Sequence, residues 1–330
     1  MSTLSKAAVP AAASQQGWAD ILRRFGPLVG LIFVVALFGS LRPAAFLTPD
    51  NAQLILLQTA VVGTAALGMT LVIVSGGIDL SVGSNIALCT VVLALLLAKG
   101  VPPVLAALGG VAASALAGLL IGVLVTRLKL SPFIVTLGLW GALRGFAKGL
   151  AGQTMVQAPD TWLNGLLNTL SDDRRWQLFP PGVWMMLVFG VLVSLLLRAT
   201  RFGRYVFAVG ANEQAARLCG VPVEGVKLWV FLLGAAFAGL AGVLQFSYLT
   251  LGDPTTANGY ELNIIAAVVI GGASLSGGQG SIFGSLVGAL IMTTVANGCT
   301  KMELANWVQE IVTGAIIVFA VALDRFRNRS

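Results

Sequence analysis

The sequence predicts an all-α polytopic membrane protein of about ten transmembrane helices, arranged as two pseudo-repeated halves with broken or re-entrant glycine-rich segments. Three observations lead there. Of 330 residues, 57% are hydrophobic and 10% charged, whereas a soluble domain carries about 25% charged residues. The apolar residues fall into runs long enough to cross a bilayer. Two of those runs end in similar glycine-serine stretches far apart in the chain. Ten spans of about 20 residues use roughly 200 positions, which leaves loops but no separate soluble domain. The chain has no histidine and three scattered cysteines, Cys89, Cys219 and Cys299. Zinc sites, serine-histidine triads and histidine proton relays therefore lack their main residue. No catalytic residue, metal or other cofactor is expected. The net charge of +7 reads as membrane orientation, with no nucleic acid partner.

The spans are read at 25–41, 52–74, 81–97, 103–125, 133–149, 182–199, 227–247, 261–273, 281–297 and 306–324, bounded by charge, proline or glycine. The run from Glu261 is short for a full crossing. With the N-terminus inside, thirteen of the 20 Lys and Arg fall on the cytoplasmic side, so the positive-inside rule puts both termini in the cytoplasm. Residues 1–24 read as a flexible cytoplasmic tail and 325–330 as a second one. A cleaved signal peptide is not expected, because the alanine-rich stretch precedes Arg23-Arg24 and the long apolar run follows them. Segment 150–180, with Asp172, Asp173, Arg174 and Arg175, is the longest outside loop, either a solvated connector or part of a docking surface.

The two interruptions are Val74-Ser75-Gly76-Gly77-Ile78-Asp79-Leu80-Ser81-Val82-Gly83-Ser84 and Val269-Ile270-Gly271-Gly272-Ala273-Ser274-Leu275-Ser276-Gly277-Gly278-Gln279-Gly280-Ser281. Each is an apolar helix ending in Gly-Gly, a Leu-Ser pair, more glycine and a further helix. A backbone of glycine and serine leaves the i to i−4 ladder. In a membrane that is tolerated only where the segment is buried in protein or lines a wet cavity. Broken helices at matching places in two halves point to a translocation path, here Gly76, Gly77, Asp79, Ser81 and Asn85 with Gly271, Gly272, Ser274, Ser276 and Gly277. The plainer alternative makes both motifs tight turns with glycine C-caps, and Ser81 and Ser276 helix caps. Gln245 and Asn263 are further polar candidates, equally suited to bonding helices together. Three GxxxG pairs, Gly118/Gly122, Gly141/Gly145 and Gly284/Gly288, suit close helix packing.

Between Arg201 and Lys227 lies the only sizeable inside loop. Asn212 suits an N-cap, Glu213 the first turn, Arg217 pairs with Glu213 at i+4, and Gly220 with Pro222 stops the chain. The result is a short helix of about two turns, too short to be stable unless packed on something. Its support is either the ends of its own spans or a cytoplasmic partner.

Together these stretches resemble the permease subunits of bacterial ABC importers for monosaccharides, the ribose, xylose, arabinose and galactose group. The most specific segments are Gly77 to Gly83, the loop Gly203-Arg204 with Gly210 to Arg217, and Gly271 to Gly278. The resemblance implies a transmembrane permease domain over 25–324 with a coupling loop at 200–227, in an inner (cell) membrane protein that works as a dimer with a second copy or paralogue. It further implies a cytoplasmic ABC ATPase subunit and a periplasmic sugar-binding protein as partners. The helix from Asn212 to Cys219 then resembles the coupling helix that meets the ATPase, through Gly203, Arg204, Asn212, Glu213, Ala216, Arg217 and Gly220. Cys219 stands where the family pattern leads one to expect a small residue such as serine. The chain contains no Gly-Lys pair, so it has no phosphate-cradling loop of the usual kind, and energy must enter through another subunit or an ion gradient. An ion-coupled secondary transporter and a permease for branched-chain amino acids or another small polar solute remain the alternatives.

Overall fold

In the computed structural model the backbone is described for residues 13–170 and 177–327. Ten helices account for most of it: α1 (Ala13–Leu41), α3 (Pro49–Val74), α4 (Val82–Ala98), α5 (Pro103–Arg127), α6 (Pro132–Leu150), α7 (Pro181–Ala199), α10 (Val223–Leu249), α11 (Tyr260–Ile270), α12 (Ile282–Lys301) and α13 (Asn306–Arg327). Short helices α2 (Pro43–Phe46), α8 (Arg201–Ala211) and α9 (Glu213–Leu218) connect them. Each apolar run of the sequence lies on one of the ten. The tail expected over 1–24 is helical from Ala13 onward, so α1 starts earlier than its apolar run; residues 1–12 lie outside the described residues. Proline opens α3, α5, α6 and α7, where its fixed φ fits and its missing N–H costs no hydrogen bond.

Five of these helices, α3, α5, α7, α10 and α12, are long and apolar enough to cross a membrane. The protein is a multi-pass membrane protein with α3 at its centre, buried along nearly its whole length. Around it pack α10, α12, α7 and α11, while α5 and α4 pack on the other side of α10. Polar side chains on α3 are satisfied inside the bundle. Thr59, Thr64 and Thr70 donate to the carbonyls four residues back, and Thr59 and Thr70 also bond Thr293 and Ser285 of α12, at 2.6 and 2.8 Å. Such bonds tie helices together where no water competes.

Two of the three GxxxG pairs mark close crossings. Gly118 and Gly122 lie against the α10 backbone near Phe231 and Leu228, and Gly284 and Gly288 against that of α11 at Gly271 and Ala267. Gly141 and Gly145 face open space on α6. The 150–180 loop is more than a solvated connector. β1 (Val156–Gln157) pairs antiparallel with β2 (Leu251–Gly252), and Leu163 and Leu167 are buried in the core. Ser247 of α10 accepts from the Leu167 amide at 2.9 Å. Asp172 to Arg175 lie outside the described residues.

Candidate functional site

Both interrupted helices end the same way. At the end of α3 the Gly76 amide donates to the Ile73 carbonyl and the Gly77 amide to that of Val72, both at 2.9 Å, with Gly76 at φ +82°. At the end of α11 the Gly272 amide donates to Val269 at 2.9 Å and the Ala273 amide to Val268 at 3.1 Å, with Gly272 at φ +96°. Each is a Schellman cap with glycine at the left-handed position. The glycine C-caps anticipated as the plainer reading therefore exist. The Gly-Gly pairs are nevertheless out of register by one: Gly76 corresponds to Gly272, and Gly271 to Ser75.

Beyond the caps the breaks diverge. In the first, Asp79 is 3% exposed, and its Oδ1 accepts from the Ser81 amide at 2.8 Å and the Ser81 hydroxyl at 2.6 Å. The Asn85 amide nitrogen donates to that same hydroxyl oxygen at 3.1 Å, leaving Asn85 Oδ1 buried without a partner. Ser81 thus directs its hydroxyl to Asp79 and makes no side-chain cap of α4. In the second break the capping serine is Ser281, whose hydroxyl accepts from the Gly284 amide, and not Ser276, which lies five residues earlier. The Ser276 amide donates to the Ser274 hydroxyl at 3.2 Å and the Ser274 amide to the Gln279 carbonyl at 3.1 Å. Gly277 and Gly278 follow with φ of +86° and +74°.

The two breaks touch. The Gly278 amide donates to the Val74 carbonyl at 2.9 Å. Gly210 of α8 is wedged between them: a Cβ there would collide with the Val74 carbonyl oxygen and lie 2.6 Å from the Gly278 nitrogen. A Cβ on Gly277 would stand 2.6 Å from the Gly210 oxygen and 3.0 Å from the Gly76 Cα. Three strands of backbone therefore meet with no side chain between them. Of the sequence-predicted path residues, Gly76 and Gly277 come together here, Asp79, Ser81 and Asn85 form a hydrogen-bonded row into α4, and Gly271 lies where α11 crosses α12.

Gly210 leads straight into the loop helix. Thr200 caps α8 by accepting from the Gly203 amide at 3.1 Å, and Gly203 sits too close to the Leu197 backbone for any side chain. Asn212 caps α9 by accepting from the Ala215 amide at 2.9 Å, and Gly220 turns the chain at φ +79°. Ala216 faces inward and is buried, whereas Leu218 is 89% exposed and Arg204 also faces out. Arg217 pairs with Glu213 at 3.4 Å and with Glu224 of α10 at 2.5 Å, and Lys227 pairs with Glu213 at 2.5 Å. The Arg217 guanidinium holds the Glu224 carboxyl below the usual carboxylate range. Thus α9 rests on its own spans through one face and presents the other outward. Sequence reasoning placed Gly210 and Gly278 in the most specific segments but gave them no role, and it missed Glu224 and Lys227 as members of the site. A glycine inside the otherwise regular run of α8 was the one local signal.

A family model described as branched-chain amino acid transport system / permease component matches residues 51–321. The chain is 38% identical to the ribose import permease protein of Bacillus subtilis (strain 168), over 93% of this chain and 94% of that protein. It is 36% identical to the L-arabinose ABC transporter permease protein of Azospirillum brasilense, covering 98% and 93% of the two. The D-allose transport system permease protein of Escherichia coli (strain K12) is 35% identical over 93% of each. No solved structure matches.

Proposed function

This chain belongs to the family of branched-chain amino acid transport system / permease components, and from that premise we propose that it is the membrane subunit of an ATP-driven ABC importer for a monosaccharide. Relatives whose names specify ribose, L-arabinose and D-allose support a sugar over an amino acid. ATP is hydrolysed on a separate cytoplasmic subunit, a periplasmic binding protein delivers the sugar, and two permease copies or paralogues enclose the path. Both termini lie in the cytoplasm of a bacterial cell, on the α8–α9 side of the inner membrane.

One observation carries this reading: the outward-facing helix α9 continues through Asn212 and Ala211 into Gly210, which contacts both interrupted helices. Closure of the ATPase pair pushes on α9 through Leu218, Arg217 and the adjoining exposed residues. The push reaches Gly210 and, through it, Gly76, Gly277 and Gly278. The interrupted helices then tilt and open the path alternately to each side. Gly76, Gly77, Asp79, Ser81, Asn85, Gly271, Gly272, Ser274, Ser276 and Gly277 form or support that path. Gly203, Arg204, Asn212, Glu213, Ala216, Arg217 and Gly220 build the coupling element. A neutral sugar needs no fixed countercharge, and weak contacts suit a conduit that must release its cargo. Sugar selection rests mainly with the binding protein.

The test is ATP-dependent uptake of radiolabelled D-ribose, L-arabinose, D-allose and D-fructose by proteoliposomes holding the permease, its ATPase and its binding protein. Deleting Asn212 to Gly220 should abolish capture of the ATPase in a pull-down while membrane insertion persists. Intact capture would refute the coupling assignment. Uptake that survives ATP depletion and collapses with an uncoupler would identify an ion-coupled transporter instead.

A further inference from the structure

A second set of buried polar atoms lies beside the first turn of α4. After α10 the chain does not pass directly into α11. Residues 253–259 first run along α4, where Thr90 donates to the Asp253 carbonyl at 3.3 Å and the Ala257 carbonyl abuts Gly83. Into this connection reaches Arg144 of α6, whose Nη1 donates to the carbonyls of Thr256 at 2.6 Å and Pro254 at 3.1 Å. Its Nε and Nη2 are buried with no partner. Glu261, in the first turn of α11, is 8% exposed, and its Oε2 is also buried with no partner. That oxygen points at the first turn of α4, 2.5 Å from where a Cβ on Gly83 would stand. Among the described residues no ion pair joins Arg144 to Glu261 or to Asp253.

Charge inside a membrane protein is costly unless paired, and where it persists it marks a pathway or a binding site. Here a donor and an acceptor meet the same short connection, Arg144 at the Thr256 carbonyl and Glu261 beside Gly83 and the Ala257 carbonyl, without satisfying each other. A cation would be repelled by Arg144, and an anion by Glu261 and Asp253. A neutral solute rich in hydroxyl groups fits both, since each hydroxyl can donate to the carboxylate and accept from the guanidinium. We propose that Arg144 and Glu261 form a hydroxyl-binding way station within the membrane, where a neutral polyhydroxylated solute is held briefly between the two sides. The proposal rests on the importer reading and deepens it by naming the contacts that the cargo makes inside the permease.

The experiment measures sugar moved per ATP hydrolysed in the proteoliposomes described above, using the four-sugar panel. Glu261→Gln keeps the shape of the side chain and removes its charge. It should lower that ratio about tenfold, the equivalent of one lost charge-assisted hydrogen bond, because ATP cycles continue without cargo passing. Arg144→Lys should lower it less, and Arg144→Gln as much as Glu261→Gln. A merely structural role would reduce uptake and hydrolysis together and leave the ratio unchanged. An unchanged ratio in Glu261→Gln, at any absolute rate, overturns the way station. A wild-type complex that moves none of the four sugars with ATP instead overturns the importer reading on which it rests.

Discussion

The two helix interruptions start alike and finish differently. Seven residues separate α3 from α4, and eleven separate α11 from α12. The shorter break is organised by a side chain, since Asp79 fixes Ser81 and through it Asn85. The longer one is organised by backbone bonds, by the Ser274 and Ser281 hydroxyls and by left-handed glycines at 277 and 278. A carboxylate-centred turn is rigid, because moving it breaks several hydrogen bonds at once. A glycine-rich turn has more conformations within reach. The first break thus resembles a fixed anchor and the second a compliant limb, and both receive α8 at the same point.

The largest effect should come from removing their common contact. Gly210→Ala puts a methyl group into the Val74 carbonyl oxygen, and overpacking of this kind costs about 1–3 kcal/mol or more. Uptake should fall more than tenfold while the protein still inserts, as measured in proteoliposomes and by thermal melting in detergent. Wild-type transport would mean that the breaks work independently of α8. Next, Asp79→Ala removes the acceptor of two hydrogen bonds, worth about 1 kcal/mol each, and leaves the buried Ser81 donors unmet at a further cost of about 1–3 kcal/mol. It should lower both the melting temperature and the uptake, with Asp79→Asn intermediate. Ser281→Ala in the other break loses a neutral helix cap worth about 1 kcal/mol and should be milder. Equal effects of the aspartate and serine variants would erase the distinction between anchor and limb.

Smaller effects belong to α9. Asn212→Ala removes a helix cap worth about 1 kcal/mol and should weaken ATPase binding several-fold in a titration with purified subunits. The smallest effect is that of the surface ion pairs. Because Arg217 depresses the Glu224 pKa, the tie between α9 and α10 is present at neutral pH. It is lost as pH falls through that lowered value, and salt screens it at any pH. ATPase binding by Glu224→Gln should therefore become less sensitive to acid and to salt than that of the parent.

Much of this was legible in the sequence, for reasons that differ between elements. The ten helices follow from apolar runs and from prolines such as Pro49, Pro103, Pro132 and Pro181 at their first positions. The α9 cap is local as well, because Asn212, Glu213, Arg217 and Gly220 act on one another within two turns. What could not be read was contact between distant backbones. The meeting of Val74, Gly210 and Gly278 involves no side-chain pattern. The one-residue offset between Gly76 and Gly272, and the choice of Ser281 over Ser276 as the cap, depend on where each helix stops. Helix ends are set by tertiary packing as much as by sequence. Arg144 was hidden for a further reason: a single cation near the end of an apolar run reads as an interface anchor, and only the return of the chain at Pro254 and Thr256 turns it inward.

The contact at Gly210 also has a mechanical consequence. Side chains that meet across an interface can switch rotamers and absorb an ångström of travel before anything beyond them moves. Backbone meeting backbone has no such play. Shifting α8 by a single residue's rise, about 1.5 Å, reaches Val74 and Gly278 together and undiminished, as in a gear cut without backlash. The same stiffness works in reverse, so a cargo that locks either interrupted helix also limits how far α9 can move.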